Sequence, residues 1–492
     1  MLCLALPHVV PGLAKYRVLG HEGYVPFWNV VGREWLGQEA EYERHSGDLT
    51  ELRELASQSA ATSTLRQRAA TEPSPRPSPA PDGSARELFP PYVPAADELR
   101  VPKTSILGPE ALGHFFRQLT RVELGHPGAI ARAGHWGDSI LGNDGVSSGV
   151  RRRLQGRFGD AGHGFHVLGR YNLAFTHQDI RFSDRGAWDS CEIIFKCKAD
   201  GHYGYGAVSS ESSGGGTSTW STTKEGIGSR VSHFELWYAK QPKGGDFQIK
   251  VDGQVERTVT TASDQLQDGF ETIAVPDGPH KFEVRAIGNG SARGYGVVLE
   301  NAGPGVVWDS LALIGAFTQR FDYQDPGHIA NQMKRRKLDL LVFILGGNDV
   351  QREKMDLYRT MQPYEEEYTR VIQKFRAGRP EASCLVMSVT DHGERVGRYG
   401  IRTRRIVPKL VASQQQVALA QGCAFFNTFE AMGGTDAIAR WYHASPQLAG
   451  ADFAHPTAEG HEVIAGLFFQ SLTHSYARFR QENEGKPLPS DR

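Results

Sequence analysis

The stretch AGHWGDSILGNDGV, residues 133–146, places Ser139 in a Gly/Asp-rich turn behind a short apolar lead-in. A serine hydroxyl attacks an ester efficiently only when other groups reach it. An imidazole must take its proton, a carboxylate must fix that imidazole, and N–H donors must meet the developing oxyanion. Later stretches offer each in turn. VVWDSLALIGAF, 306–317, ends an apolar run near Gly315, where a missing side chain lets substrate approach a main-chain N–H. ILGGNDV, 344–350, sets the neutral amide donor Asn348 beyond another apolar run. GADFAHPTAEGHEVIAGLF, 450–468, carries Asp452 and His455 three residues apart, so one loop holds both carboxylate and imidazole. Neighbouring polar groups read as structural. Asp138 stabilises its turn, Asp349 holds the turn after Asn348, His461 packs in a helix, and His135 and Trp136 read as core packing, with cleft lining as the alternative.

Such groups converge only if rigid elements end at one cleft. LDLLVFILGGND (338–349), ASCLVMSVTD (382–391) and GCAFFNTF (422–429) read as parallel strands buried on both faces. Helical segments lie between them, YEEEYTRVIQKFRAG (364–378) and VPKLVASQQQVALAQG (407–422). Two more, GPEALGHFFRQLTRVE (108–123) and VSSGVRRRLQGRFG (146–159), flank the serine turn. This alternation predicts an α/β fold with a doubly wound parallel sheet. Between 166 and 300 the period changes to two. Phe247, Ile249 and Val251, then Phe282, Val284 and Ala286, are bounded by Asp252-Gly253 and Gly288-Asn289-Gly290. That pattern predicts antiparallel hairpins and an inserted β-sandwich.

The expected organisation is an amino-terminal segment of unassigned role (1–56), a Pro-rich flexible linker (57–98), and the first part of the catalytic domain (99–165). The sandwich (166–300), the second catalytic part (301–480) and a tail (481–492) follow. The linker contains PSPRPSPAPDGSARELFPPYVP, with eight prolines in 22 residues, which reads as a solvated tether. In the sandwich, SSESSGGGTSTWSTT (209–223) reads as a mobile loop. Tyr205, Trp220, Trp237 and Tyr238 would stack on sugar rings if exposed, and otherwise fill the core. KRRK, 334–337, reads as a solvated helix end.

Fifty-five basic against 56 acidic residues leave a net charge of −1, so no global field favours nucleic acid or an anionic membrane. No apolar run reaches membrane-spanning length. MLCLALPHVVPGLAKYRV at the amino terminus lacks the basic lead of an export signal; it reads as a buried segment or as the remnant of a signal or anchor. The five cysteines form no disulfide framework and no zinc motif. Cys191 and Cys197 read as either a bridge or two buried thiols, and Cys384 and Cys423 as small core residues.

In their order, the Ser139, Gly315, Asn348 and Asp452-x-x-His455 stretches resemble the SGNH (GDSL-type) hydrolases. RRRLQGRFGDAGHGF, GVVWDSLALIGA and GCAFFNTFEAMGG are similar to the peptidoglycan O-acetylesterase branch, which also carries a carbohydrate-binding-like β domain between its first two blocks. The resemblance spans about residues 105–475 and implies that Ser139 is the nucleophile, His455 the base and Asp452 its orienter. It implies an oxyanion hole of the Ser139 and Gly315 N–H groups and the Asn348 amide, with no cofactor and no metal. Two positions depart from the branch: Ile140 stands where histidine is usual, and Asp349 where glutamate is frequent. The implied activity is removal of O-acetyl groups from an envelope polysaccharide, above all peptidoglycan, in the cell envelope or periplasm. The alternatives are an acetyltransferase on the same fold and a non-catalytic glycan-binding protein. The implied partner is an acetylated polysaccharide, with no nucleic acid and no membrane span.

Overall fold

In a computed structural model of the chain, which describes residues 87–355, 360–397 and 400–489, the apolar runs form one parallel sheet. Its strands are β1 (Ile130–Gly137), β2 (Gly305–Ala312), β3 (Leu340–Ile344), β4 (Ser383–Met387) and β5 (Ala424–Phe426), in the order β2-β1-β3-β4-β5. Every residue of β2 to β5 is buried, which is why these strands read as unbroken apolar runs and not as alternation. Helices α1 (Gly113–Glu123), α2 (Gly145–Phe158), α3 (Pro326–Arg336), α4 (Gln362–Arg376), α5 (Ile406–Ala420) and α6 (Ala458–Asn483) cover the sheet. The strand order reverses at β1, so the ends of β2, β1 and β3 line up at the switch point where such sheets bind ligands.

Helices α2 and α6 pack closely. A Cβ on Gly149 of α2 would lie 2.6 Å from the Cβ of Ala465 in α6, so only glycine admits this approach. The contact draws together the chain entering α2, which carries Ser139, and the chain entering α6, which carries His455.

Between α2 and β2 the chain builds two antiparallel sheets. One contains, in order, Gln267–Gly278, Val231–Lys240, Ala292–Glu300, Val208–Ser212 and Asp189–Glu192, with Gly164–Val167 also paired to Ala292–Glu300. The other contains Ile180–Arg185, Thr217–Thr222, Lys281–Ala286, Asp246–Val251 and Gln254–Thr260. Phe234, Leu236, Phe247, Ile249, Phe282 and Val297 fill the space between them, and Phe234 stacks on Phe282 at 4.3 Å. The Asp252-Gly253 turn has positive φ at both residues, the twist a two-residue hairpin requires.

The outer face of the larger sheet is not free. Phe165, Trp237, Tyr295 and Val298 join the same core as Trp136 and Phe343 of the parallel sheet. A buried ionic cluster reinforces this junction. Arg336 at the end of α3 forks onto Asp309 of β2 at 2.7 and 2.8 Å and reaches Glu300 at 2.5 Å, while Arg132 of β1 holds Glu300 at 2.8 Å. Burial opposes ionisation of Glu300, yet the two guanidinium groups hold its carboxyl down to about 2.

Several expectations are corrected. KRRK is not wholly solvated, because Arg336 is the centre of that cluster. SSESSGGGTSTWSTT is not a mobile loop: it supplies parts of two strands, joined at glycines whose positive φ the turn demands. Tyr205, Trp220, Trp237 and Tyr238 are all buried, so none is available to a sugar face. Residues 1–86 lie outside the described part, but the linker does not extend through 87–98. Leu88 pairs with Pro487, Phe89 is buried, and Glu98 accepts from Tyr92 and Arg157. Nor does the tail begin at 481, since α6 runs to Asn483 and Leu488 is buried.

Among the described residues four cysteines form two bridges, which corrects the expectation of no disulfide framework and of Cys384 and Cys423 as merely small core residues. Cys191–Cys197 closes the turn Ile193–Phe195, and Cys384–Cys423 joins β4 to the residue before β5. Parallel register sets this second pair side by side, a proximity invisible across 39 positions of apolar sequence. Among the described residues no helix is long and apolar enough to cross a membrane.

Candidate active site

Ser139 is the first residue past the end of β1 and Asp138, opening a short 3-10 turn (Ser139–Leu141). The buried Asp138 carboxylate accepts from the Ile140 N–H at 3.1 Å and the Gly347 N–H at 2.9 Å, fastening the turn after β1 to the turn after β3. Burial pushes this carboxyl up to about 6, and the two N–H bonds oppose that. Asp138 thus has the turn-stabilising place expected of it.

Asp452 and His455 share one loop before α6. Asp452 Oδ1 accepts from the N–H groups of Ala454 and His455, at 3.0 and 3.1 Å, which bends the loop back on itself. Its Oδ2 lies 2.6 Å from His455 Nδ1. With Nδ1–H donated there, Nε2 is left as an acceptor, and it stands 2.8 Å from Ser139 Oγ. Residues 316 positions apart therefore form a hydroxyl–imidazole–carboxylate chain. The His455 and Asp452 side chains are about half exposed, at 49% and 53%.

Gly315 follows β2 and Asn348 follows β3, the two strands on either side of β1. Gly315 has φ +83, a conformation that favours glycine, and among the described residues no atom beyond its chain neighbours lies within 4 Å of where a Cβ would stand. Asn348 Nδ2 donates to the Ala316 carbonyl at 3.1 Å, which spends one of its two hydrogens and leaves the second. Asp349 accepts from the Thr318 N–H and hydroxyl at 2.9 and 2.8 Å, tying the same two turns together as expected. His135, Trp136 and His461 are buried, in keeping with packing roles.

Sequence reading missed one wall of the cleft. Val389, Thr390 and His392, after β4, line it with Ile140, Leu345 and Ala454. His392 Nδ1 faces the Thr390 carbonyl at 2.9 Å, and burial pushes this imidazole down to about 4, so it is neutral near pH 7. The available signal was position: TDHGE follows a buried strand at its carboxyl end, where ligands bind in such sheets.

The arrangement can activate a serine. The hydrogen bond to Asp452 raises the His455 pKa above its ordinary value, against some desolvation. A base acts only when neutral, so kcat/KM should fall as pH drops through a midpoint above about 6.5, the free imidazole value. Asp452→Asn removes the charge, so this acid limb should move to lower pH, while kcat drops by about 10⁴-fold. A pH–rate profile of the two proteins on a small acetate ester checks this; coincident acid limbs would exclude Asp452 as the partner of the base.

Residues 279–463 match the model of the GDSL-like Lipase/Acylhydrolase family, a span that includes Gly315, Asn348, Asp452 and His455. The serine turn lies outside that span, and the 2.8 Å contact restores it to the set. Residues 279–463 thus carry a GDSL-like lipase/acylhydrolase domain. Acylhydrolases act on ester bonds, and the order Ser139, Gly315, Asn348, Asp452, His455 fits that class. The GDSL-type fold, with its antiparallel sheets, is similar to the solved structure titled "Peptidoglycan O-acetylesterase in action, 5 min". Identity is 19% and TM-score 0.61, over 73% of this chain and 95% of that one. An acetylxylan esterase from Geobacillus stearothermophilus superposes in part, at 19% identity and TM-score 0.26, over 34% of this chain and 73% of that one. A family two carbohydrate esterase from Clostridium thermocellum does likewise, at 10% identity and TM-score 0.25, over 59% and 97%. No curated protein sequence matches the chain.

Proposed function

We propose that this protein is a serine carbohydrate esterase that removes O-acetyl groups from a cell-envelope polysaccharide, with peptidoglycan as the first candidate. The observation that carries the reading is the Ser139–His455–Asp452 chain at the mouth of a cleft at the sheet's switch point. His455 accepts the Ser139 proton as Oγ attacks the acetyl carbonyl. The Ser139 and Gly315 N–H groups and the second Asn348 hydrogen would meet the oxyanion, each such donor being worth about 2.7–4 kcal/mol. His455 then returns the proton to the departing sugar oxygen, leaving acetyl-Ser139. Water activated by His455 releases acetate.

Half-exposed His455 and Asp452 suit a bulky polymer, because an acetyl group projecting from a chain can enter while its sugar rings stay outside. The likeness over 95% of a peptidoglycan O-acetylesterase supports that polymer over others. Two disulfides support an oxidising compartment, and so the periplasm or envelope. The Gly164–Glu300 segment, with its core-bound aromatics, supports a scaffold role more than a sugar-stacking one.

The test is acetate release by the full chain from O-acetylated peptidoglycan and acetylated xylan, with glycan oligomers supplied as acceptors in a parallel reaction. Faster release from peptidoglycan is the expected result. Faster release from xylan would reassign the polymer, and acetyl transfer to the oligomers in preference to water would reassign the reaction.

A further inference from the structure

A second cluster of titratable groups lies where the chain leaves the serine turn and enters the sandwich. Asp144, His163 and His177 present ligand atoms that all lie within 4.8 Å of one another. Asp144 immediately precedes α2, His163 precedes the strand Gly164–Val167, and His177 stands before the strand Ile180–Arg185. His166 packs beside His177, with ring centres 4.3 Å apart.

The hydrogen bonds around the cluster come from behind. His163 Nε2 faces the Gln178 carbonyl at 3.0 Å, so it carries the proton, and Nδ1 is buried with no partner. His166 likewise directs Nδ1 to the Val167 carbonyl at 2.8 Å and leaves Nε2 buried and unpartnered. Neither nitrogen of His177 has a partner among the described residues. His163 and His166 are themselves only 3% and 1% exposed. Asp144 Oδ2 is held by Arg151 at 2.7 Å and the Gln178 N–H at 3.0 Å, whereas Oδ1 meets only a 3.3 Å contact from Arg151. Metal-bound imidazoles donate their outer N–H to carbonyls in this way, and ligating carboxylates are themselves hydrogen-bonded. Buried polar atoms without partners need a reason, and a cation facing several lone pairs is one.

A second group, His202, Asp268 and His328, also brings its ligand atoms within 4.8 Å. There His328 is already spent: Nδ1 meets Asp268 at 2.7 Å and Nε2 accepts the Gly204 N–H at 2.8 Å.

We propose that Asp144, His163 and His177 bind a divalent transition-metal ion, zinc above others, as a structural tie between the serine turn and the sandwich. Two imidazoles and one carboxylate are donors zinc accepts, and a water would complete a tetrahedral set whose ligand atoms lie roughly 3.3 Å apart, against separations of at most 4.8 Å here. The tie would reinforce a strap already present, in which the Thr176 N–H donates to the Gly142 carbonyl at 3.1 Å. The ion takes no part in ester cleavage, so the inference stands apart from the choice of polymer.

The test uses the full chain after chelator treatment. Zn²⁺ is titrated by calorimetry, Co²⁺ by visible absorption, and thermal midpoints are read with and without metal. The wild type should take up about one equivalent, show tetrahedral cobalt bands and melt higher with zinc. His177→Gln and Asp144→Asn, each checked for folding by circular dichroism, should bind more than about 100-fold more weakly. His328→Gln should bind as the wild type does. A wild-type chain that takes up no metal, or cobalt bands unchanged in a folded His177→Gln or Asp144→Asn protein, would overturn the assignment.

Discussion

Replacing Ser139 by alanine should lower kcat on a small acetate ester by about 10⁴–10⁶-fold, the loss typical when a serine nucleophile is removed. The estimate rests on geometry. Ser139 Oγ is the only atom of that side chain beyond Cβ, and it hydrogen-bonds to His455. Nothing in the turn depends on the hydroxyl, because Asp138 and backbone bonds hold it. The thermal midpoint should therefore stay close to that of the wild type. Members of such a chain act as a unit, so Ser139→Ala combined with His455→Ala should be little worse than either alone. Multiplying losses in the double variant, or turnover within tenfold of wild type in Ser139→Ala, would remove Ser139 from the mechanism.

Arg336→Met should have the largest effect on stability. Arg336 is buried against Asp309, which has no solvent exposure, and against Glu300. Removing one partner of a buried ion pair costs about 3–5 kcal/mol, mostly because a charge is left buried without a partner. Glu300 keeps Arg132, but Asp309 loses both guanidinium contacts and retains only the Tyr205 hydroxyl at 2.9 Å and the Phe165 N–H at 2.8 Å. Arg336→Lys should recover only part of the loss, since an ammonium cannot fork onto both oxygens of Asp309. Denaturant unfolding gives the comparison, and a loss for Arg336→Met below about 1 kcal/mol would mean that the cluster relaxes or takes in water.

How much of this was legible in the sequence depended on the kind of pattern involved. β3, β4 and β5 were readable because strands buried on both faces leave continuous apolar runs. The hairpin at Asp252-Gly253 was readable because its backbone requires those residue types. Ser139, Gly315, Asn348, Asp452 and His455 were readable by type and order, but the meeting of Ser139 with His455 and Asp452 depends on register and helix packing, which no single stretch encodes. Pairing across distance stayed hidden. Cys384 and Cys423 meet only because β4 and β5 are neighbours, and Arg336 looks like its solvated neighbours Lys334 and Arg335 until Asp309 and Glu300 are set beside it. His163, His166 and His177 are close in sequence, yet only the fold shows their nitrogens facing inward without partners.

The sheet that carries Trp237 and Tyr295 has core on both sides, and this limits how such a protein can change over generations. A module joined by a hinge can be lost or exchanged as a cassette. A partition shared by two rooms cannot, because its removal strips the lining from the room that remains. Replacement of any residue on that partition is therefore screened against the interiors of both halves at once.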